Sequence, residues 1–197
     1  MRTTFVIAGT LAAALTLAGC SGSGGMSGMD HGGSSATSSA AAETGSFNDQ
    51  DVTFAQMMIA HHEQAIEMSD TLLAKSDVDP DTTALAEKIK AAQQPEIDTM
   101  TEWLTTWGAS ADSMSGMDHG SDGMMSEGDM AALEKASGAD AGKLFLEQMI
   151  MHHQGAIEMA QTEVDAGQNA DAVTLAKKIV TDQTAEINEM QSMLDSQ

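Results

Sequence analysis

Residues 58–68 read MIAHHEQAIEM and residues 149–159 read MIMHHQGAIEM, so one pattern occurs twice at an offset of 91 positions. Residues 85–104 recur at residues 175–194 with an offset of 90, which indicates a one-residue length difference in the intervening turn. In the first copy, one set of residues is spaced alternately by four and three positions: Phe54, Met58, His61, Ala65, Met68 and Leu72. This spacing is typical of an α-helix with one buried face. The pattern predicts a duplicated helical hairpin.

Two hairpins with apolar faces cannot bury those faces alone, so the predicted fold class is all-α, an antiparallel four-helix bundle. The predicted bundle covers residues 47–197, with hairpins at 47–107 and 129–197 and a Met/His-rich linker at 108–128. Asp79-Pro80 predicts a helix start, and Gly167 and Asn169 mark the matching turn. Pro95 is expected to kink its helix. A short helix near residues 129–135 is expected before the third long helix.

The N-terminus is typical of an exported lipoprotein. Arg2 precedes a 12-residue apolar stretch, too short to span a bilayer, and residues 17–20 read LAGC. Residues 1–19 are therefore predicted to be a signal peptide, Cys20 the lipidated residue, and residues 20–46 a disordered Gly/Ser/Met/His tether. The protein is expected at the cell membrane, facing outside the cytoplasm in a periplasm or at the cell surface.

Composition excludes several classes of function. The net charge of −22 offers no basic patch for nucleic acid. One Cys excludes a disulfide framework and a Cys-rich zinc or iron–sulfur site. No Tyr, 4 Phe and 2 Trp disfavour a β-sandwich, since strands favour aromatic residues.

Four histidines are predicted to face the core as adjacent pairs: His61, His62, His152 and His153. Burying four imidazoles is costly unless each has a partner, so we expect them to bind a metal ion. The alternative is that hydrogen bonds within the protein satisfy them.

Met58 and Met149 share a helix face with these pairs, and Met68 and Met159 follow one heptad later. These four are predicted ligands, with core packing as the alternative. Polar residues also interrupt the apolar stripe of the second helix in each hairpin. Gln93 and Gln183 are predicted to orient the imidazoles, unless they simply pair with each other, and Glu96 and Glu186 either join them or face solvent.

The sequence MSGMDHG occurs at residues 26–32 and again at 114–120. Methionine in a Gly/Ser segment is expected to bury nothing, so packing does not explain it. Thioether and imidazole groups suit Cu(I), and His can also hold Cu(II). Low-complexity drift and protection against oxidants are the alternatives. The predicted copper ligands here are Met26, Met29, His31, Met114, Met117 and His119, with Met124 and Met125 after the second copy.

The two HH segments, with AQQPEI at residues 92–97 and TDQTAEI at 181–187, resemble a known family. It is the ferritin-like domain-of-unknown-function family three hundred and five, which includes CopM-type copper-binding proteins of the bacterial envelope. The resemblance covers about residues 47–197. It implies a four-helix ferritin-like fold, export, copper binding through Met and His, and a role in copper tolerance.

The sequence therefore predicts a membrane-anchored, non-enzymatic protein that sequesters copper or hands it over to other copper-handling envelope proteins. Di-iron chemistry needs Glu three residues before a core His, and no Glu has this position. A zinc- or iron-binding ferritin-like protein and a structural or partner-binding bundle are the alternatives.

Overall fold

The computed structural model describes residues 45–110 and 123–196, which fall in one compact unit within residues 40–197. These residues form five helices: α1 (Asp49–Leu73), α2 (Pro80–Trp107), α3 (Glu127–Lys135), α4 (Gly138–Ala166) and α5 (Ala170–Asp195). None of the five is long and apolar enough to cross a membrane. The predicted signal peptide, Cys20 and both MSGMDHG copies lie outside the described residues.

Short turns join α1 to α2 and α4 to α5, so the predicted all-α fold with a duplicated hairpin is confirmed. Asp79 caps α2 by accepting from the backbone N–H groups of Asp81 and Thr82, and Asn169 caps α5 in the same way. Helix α2 continues through Pro95. Helix α3 begins two residues earlier than the predicted residue 129, because Ser126 and Asp129 form a capping box.

A layer of polar side chains divides the core. On one side lies a first apolar cluster that includes Met68, Leu72, Leu85, Phe145 and Leu146. On the other lies a second apolar cluster. Along every long helix the polar residues fall between the two clusters, and we call them the polar layer: His61, His62, Gln93, Glu96, His152, His153, Gln183 and Glu186. Helices α1 and α4 pack closely across the layer, whereas α2 and α5 approach each other at few positions.

Met125 is not the exposed linker residue that its Gly/Ser surroundings predicted. It is 8% exposed and belongs to the first apolar cluster. The Gln64 side chain accepts from the Met125 N–H at 2.7 Å and donates to the Met125 carbonyl at 2.9 Å. The end of the linker is therefore fixed to α1, and Met125 is a packing residue.

Gly123 is expected to tolerate no larger residue. Its φ is +78°, and an added Cβ would lie 2.8 Å from the Gly155 Cα and the Met151 carbonyl oxygen. Gly123→Ala is expected to lower the free energy of unfolding by about 2 kcal/mol through clash and backbone strain. Urea denaturation checks this, with Gly128→Ala as the control because Gly128 is helical and has room for a Cβ. Equal stability of the two variants would contradict the prediction.

Candidate metal centre

The four predicted core histidines lie in the polar layer, midway along α1 and α4. None is more than 1% exposed, which confirms that both members of each pair face inwards. The rings of His61 and His152 are in contact, with centroids 3.7 Å apart and planes at 40°. Because these two residues occupy the same position in the two copies, the repeat brings its own equivalent residues together at the centre of the bundle.

The other member of each pair is held by a glutamate from the second helix of its own hairpin. Glu96 Oε2 lies 2.8 Å from His62 Nε2, and Glu186 Oε2 lies 2.9 Å from His153 Nε2. Burial would raise the pKa of Glu96, but hydrogen bonds with His62 and Lys178 outweigh it and keep that pKa below its usual value. The ionised Glu96 therefore accepts the Nε2–H of His62.

For His62 this arrangement leaves a lone pair on the opposite side of the ring. The Nδ1 atoms of His62 and His153 are buried and have no hydrogen-bond partner. Burial lowers the pKa of His62 in spite of the hydrogen bond with Glu96, so the imidazole stays neutral. A neutral imidazole held by a carboxylate through its N–H is the usual state of a metal-binding histidine.

The glutamines do not have the predicted role. Gln93 and Gln183 are buried, but neither hydrogen-bonds a histidine, and both amide atoms of Gln93 lack a partner. The prediction that they orient the imidazoles is wrong, because Glu96 and Glu186 lie almost one helical turn further along and make that contact instead.

His152 differs from the other three histidines of the layer in the state of its two ring nitrogens. Both ring nitrogens are buried without a hydrogen-bond partner. Burial, and then the neighbouring His61, hold its pKa well below the usual value, so the ring is neutral. An unsatisfied buried polar group is costly, and a metal ion that accepts the lone pair would remove the part of this cost that comes from the unprotonated nitrogen.

Within residues 45–110 and 123–196, no three His, Cys, Asp or Glu side chains are grouped so as to hold a metal ion. Thioether groups also lie next to the polar layer, and thioethers are donors that suit a soft ion. Met58 and Met149 are wholly buried one turn before the His pairs. Met68 lies about 10 Å along the axis from His61 and packs in the first apolar cluster. Met159 and Met124 are half-buried.

Two lysines of this site were not singled out from the sequence. Lys178 of α5 lies 2.9 Å from Glu96 Oε1, and Lys88 of α2 lies 3.8 Å from Glu186 Oε1. Both pairs cross between the hairpins. The offset of 90 that relates Lys88 to Lys178 also relates the two glutamates. The repeat in the sequence therefore already indicated that the two lysines occupy equivalent positions.

Comparison with known proteins places this arrangement in context. A family model described as "Domain of unknown function (DUF305)" matches residues 51–194. The chain is similar to a DUF305 fragment from Deinococcus radiodurans, with 30% identity, a TM-score of 0.71 and coverage of 77% of this chain and 99% of that one. A DUF305 protein from Streptomyces coelicolor, assigned as secreted, is 31% identical, with a TM-score of 0.70 and coverage of 75% and 91%.

CopM in its Cu(II)-bound form is 30% identical, with a TM-score of 0.64 and coverage of 74% of this chain and 96% of CopM. CopM structures with Cu(I) and with Ag are also similar to the chain. No curated protein sequence matches it.

Proposed function

This chain belongs to the DUF305 family, and from that premise we propose that it is a non-enzymatic copper-binding protein that sequesters copper or hands it over. The observation that carries the proposal is the layer of four buried histidines, in which His152 has two unpartnered ring nitrogens. The similarity to CopM, which has been solved with Cu(I) and Cu(II), supports copper as the metal.

The proposed core ligands are the four histidines His61, His62, His152 and His153, assisted by Met58 and Met149. His62 and His153 each offer an Nδ1 lone pair while a glutamate holds the opposite N–H. Thioethers carry no charge at any pH and suit Cu(I), so they complete the shell without a further acid in the core. We assign Met68 and Met159 to packing.

The two MSGMDHG copies are proposed to collect copper ahead of the core site. We also propose that Cys20 carries a lipid that anchors the protein outside the cytoplasm, where it contributes to copper tolerance. The net charge of −22 raises the local concentration of cations without selecting among them.

An anaerobic titration with Cu(I) against a chromophoric chelator tests this function, with Zn(II) and Fe(II) in parallel. We expect tight uptake of more than one Cu(I) and weak binding of the other two ions. An absence of competitive copper uptake would contradict the proposal, and tighter binding of Zn(II) than of Cu(I) would favour a zinc protein.

The linker methionines are expected to divide into two kinds. Met114→Ser, Met117→Ser and His119→Ser together should lower the amount of bound copper and leave the melting temperature unchanged. Met125→Ser should instead lower the free energy of unfolding by about 2 kcal/mol, because it removes a buried side chain from the first apolar cluster.

Copper titration and thermal unfolding of both variants check this division. Undiminished copper uptake in the triple variant would remove the linker from the function. An unchanged stability of Met125→Ser would contradict its assignment to the core.

A further inference from the structure

A cleft of about 320 Å³ lies between α2 and α5, which approach each other at few positions. Its lining includes Gln93, Glu96, Gln183 and Glu186 of the polar layer. The two glutamates that line the cleft are the ones that hold His62 and His153, so these carboxylates connect the lining of the cleft to the buried imidazoles.

Two ion pairs span this cleft in opposite directions. Lys178 reaches from α5 to Glu96 on α2, and Lys88 reaches from α2 towards Glu186 and Glu189 on α5. Both lysine side chains are about half exposed, so water competes with these pairs and they open readily. When they open, the carboxylates of Glu96 and Glu186 face the cleft without their cations.

Three other directions towards the histidines are packed. The two apolar clusters lie on either side of the layer along the bundle axis, and His61 contacts His152 where α1 and α4 meet. The cleft, in contrast, is lined by the buried Gln93, whose amide has no hydrogen-bond partner and can contact a passing ion.

We propose that the cleft between α2 and α5 is the route by which a metal ion reaches and leaves the histidine layer, and that Lys88 and Lys178 close it as a pair of latches. This inference rests on the proposed function, because it takes the histidine layer as the destination of the metal. The lysines then govern the rate of exchange, and the histidines govern the affinity.

The first test is the rate of Ag(I) uptake, followed by stopped flow in a protein whose two MSGMDHG copies have Met and His replaced by Ser. Lys88→Gln with Lys178→Gln is expected to raise this rate about fivefold, because the change removes the ion pairs that span the cleft and leaves every proposed ligand in place. The matched control is Lys90→Gln with Lys143→Gln, which removes the same charge from the ion pairs with Asp70 and Glu147 outside the cleft.

Substitutions at the rim of the cleft are expected to change the uptake rate in the opposite direction. Ala92 and Ala185 are exposed there, so Phe at both positions fills the cleft without disturbing the core. Ala92→Phe with Ala185→Phe is expected to slow uptake about fivefold, since it narrows the route. Equal uptake rates in the latch, control and rim variants would overturn the proposal.

A readout without metal separates this inference from the proposed function. Diethyl pyrocarbonate modifies accessible imidazoles, and mass spectrometry of peptides that contain the core histidines gives the rate. We expect faster modification in the latch variant than in the control, and slower modification in the rim variant. Identical labelling of the three variants would overturn the route even if copper binds, whereas a failure of the wild-type core to take up Ag(I) would instead contradict the proposed function.

Discussion

Replacement of His61 and His152 by Leu is expected to abolish copper binding in the core and to make the metal-free bundle more stable. The two rings are in contact at the centre of the polar layer, and neither nitrogen of His152 has a hydrogen-bond partner. Leucine has a similar volume and has no polar group to leave unsatisfied, so the free energy of unfolding should rise by about 2 kcal/mol. The affinity for Cu(I) should fall by at least about 100-fold, because two proposed ligands are lost.

Opposite changes in affinity and stability are what separate ligands from structural histidines. Cu(I) competition and urea denaturation of the apo protein measure the two quantities on the same sample. Met100→Leu is the matched control, because Met100 is wholly buried in the second apolar cluster and the change conserves volume. If the double variant is destabilised and keeps its copper, the two histidines are structural and the core site is wrong.

The fold could be predicted from the sequence because its determinants are local. The alternation of three and four positions around His61 is a property of one helix, and the cap at Asp79 involves residues within three positions. The offsets of 91 and 90 then place the second hairpin without further information. The inward orientation of all four histidines follows from the same helical period.

The partners of the histidines could not be predicted in the same way. Gln93 and Glu96 are three residues apart on one helix, so periodicity alone does not say which one reaches His62. In the folded protein it is the glutamate that makes this contact. Met125 shows the same limit, since its segment has no periodicity and its burial depends on the hydrogen bonds with Gln64.

A buried pair of acidic side chains also could not be predicted from the sequence. Asp51 and Glu163 are wholly buried where the start of α1 meets the end of α4. Asp51 accepts the backbone N–H groups of Asn48, Gln168 and Asn169. Burial would raise the pKa of Asp51, but these N–H groups outweigh it, so its pKa is lowered and it stays a carboxylate. Only the tertiary fold brings Glu163 beside it.

Burial, and then the adjacent Asp51 carboxylate, raise the pKa of Glu163 to about 8. The folded protein therefore keeps a proton that the unfolded chain releases above its ordinary pKa of 4.5. Stability contributed by this proton is complete below pH 4.5 and is lost as the pH rises to about 8. The histidines act in the opposite direction, because the pKa values of His62 and His152 are lowered, so their contribution is complete above pH 6.5 and is lost as the pH falls.

Among these groups with shifted pKa values, only Glu163 changes its contribution to the free energy of unfolding between pH 6.5 and 8. The apo wild type is expected to lose about 2 kcal/mol of unfolding free energy across this window, at about 1.4 kcal/mol per pH unit. Glu163→Gln keeps a neutral donor beside Asp51, so its unfolding free energy should stay level with pH across this window. Glu158→Gln, at an exposed position, should keep the wild-type slope of unfolding free energy against pH. Urea midpoints at three pH values in the window measure this. A level wild-type profile, or an undiminished slope in Glu163→Gln, would contradict the prediction and show that Glu163 is ionised in the folded protein across this window.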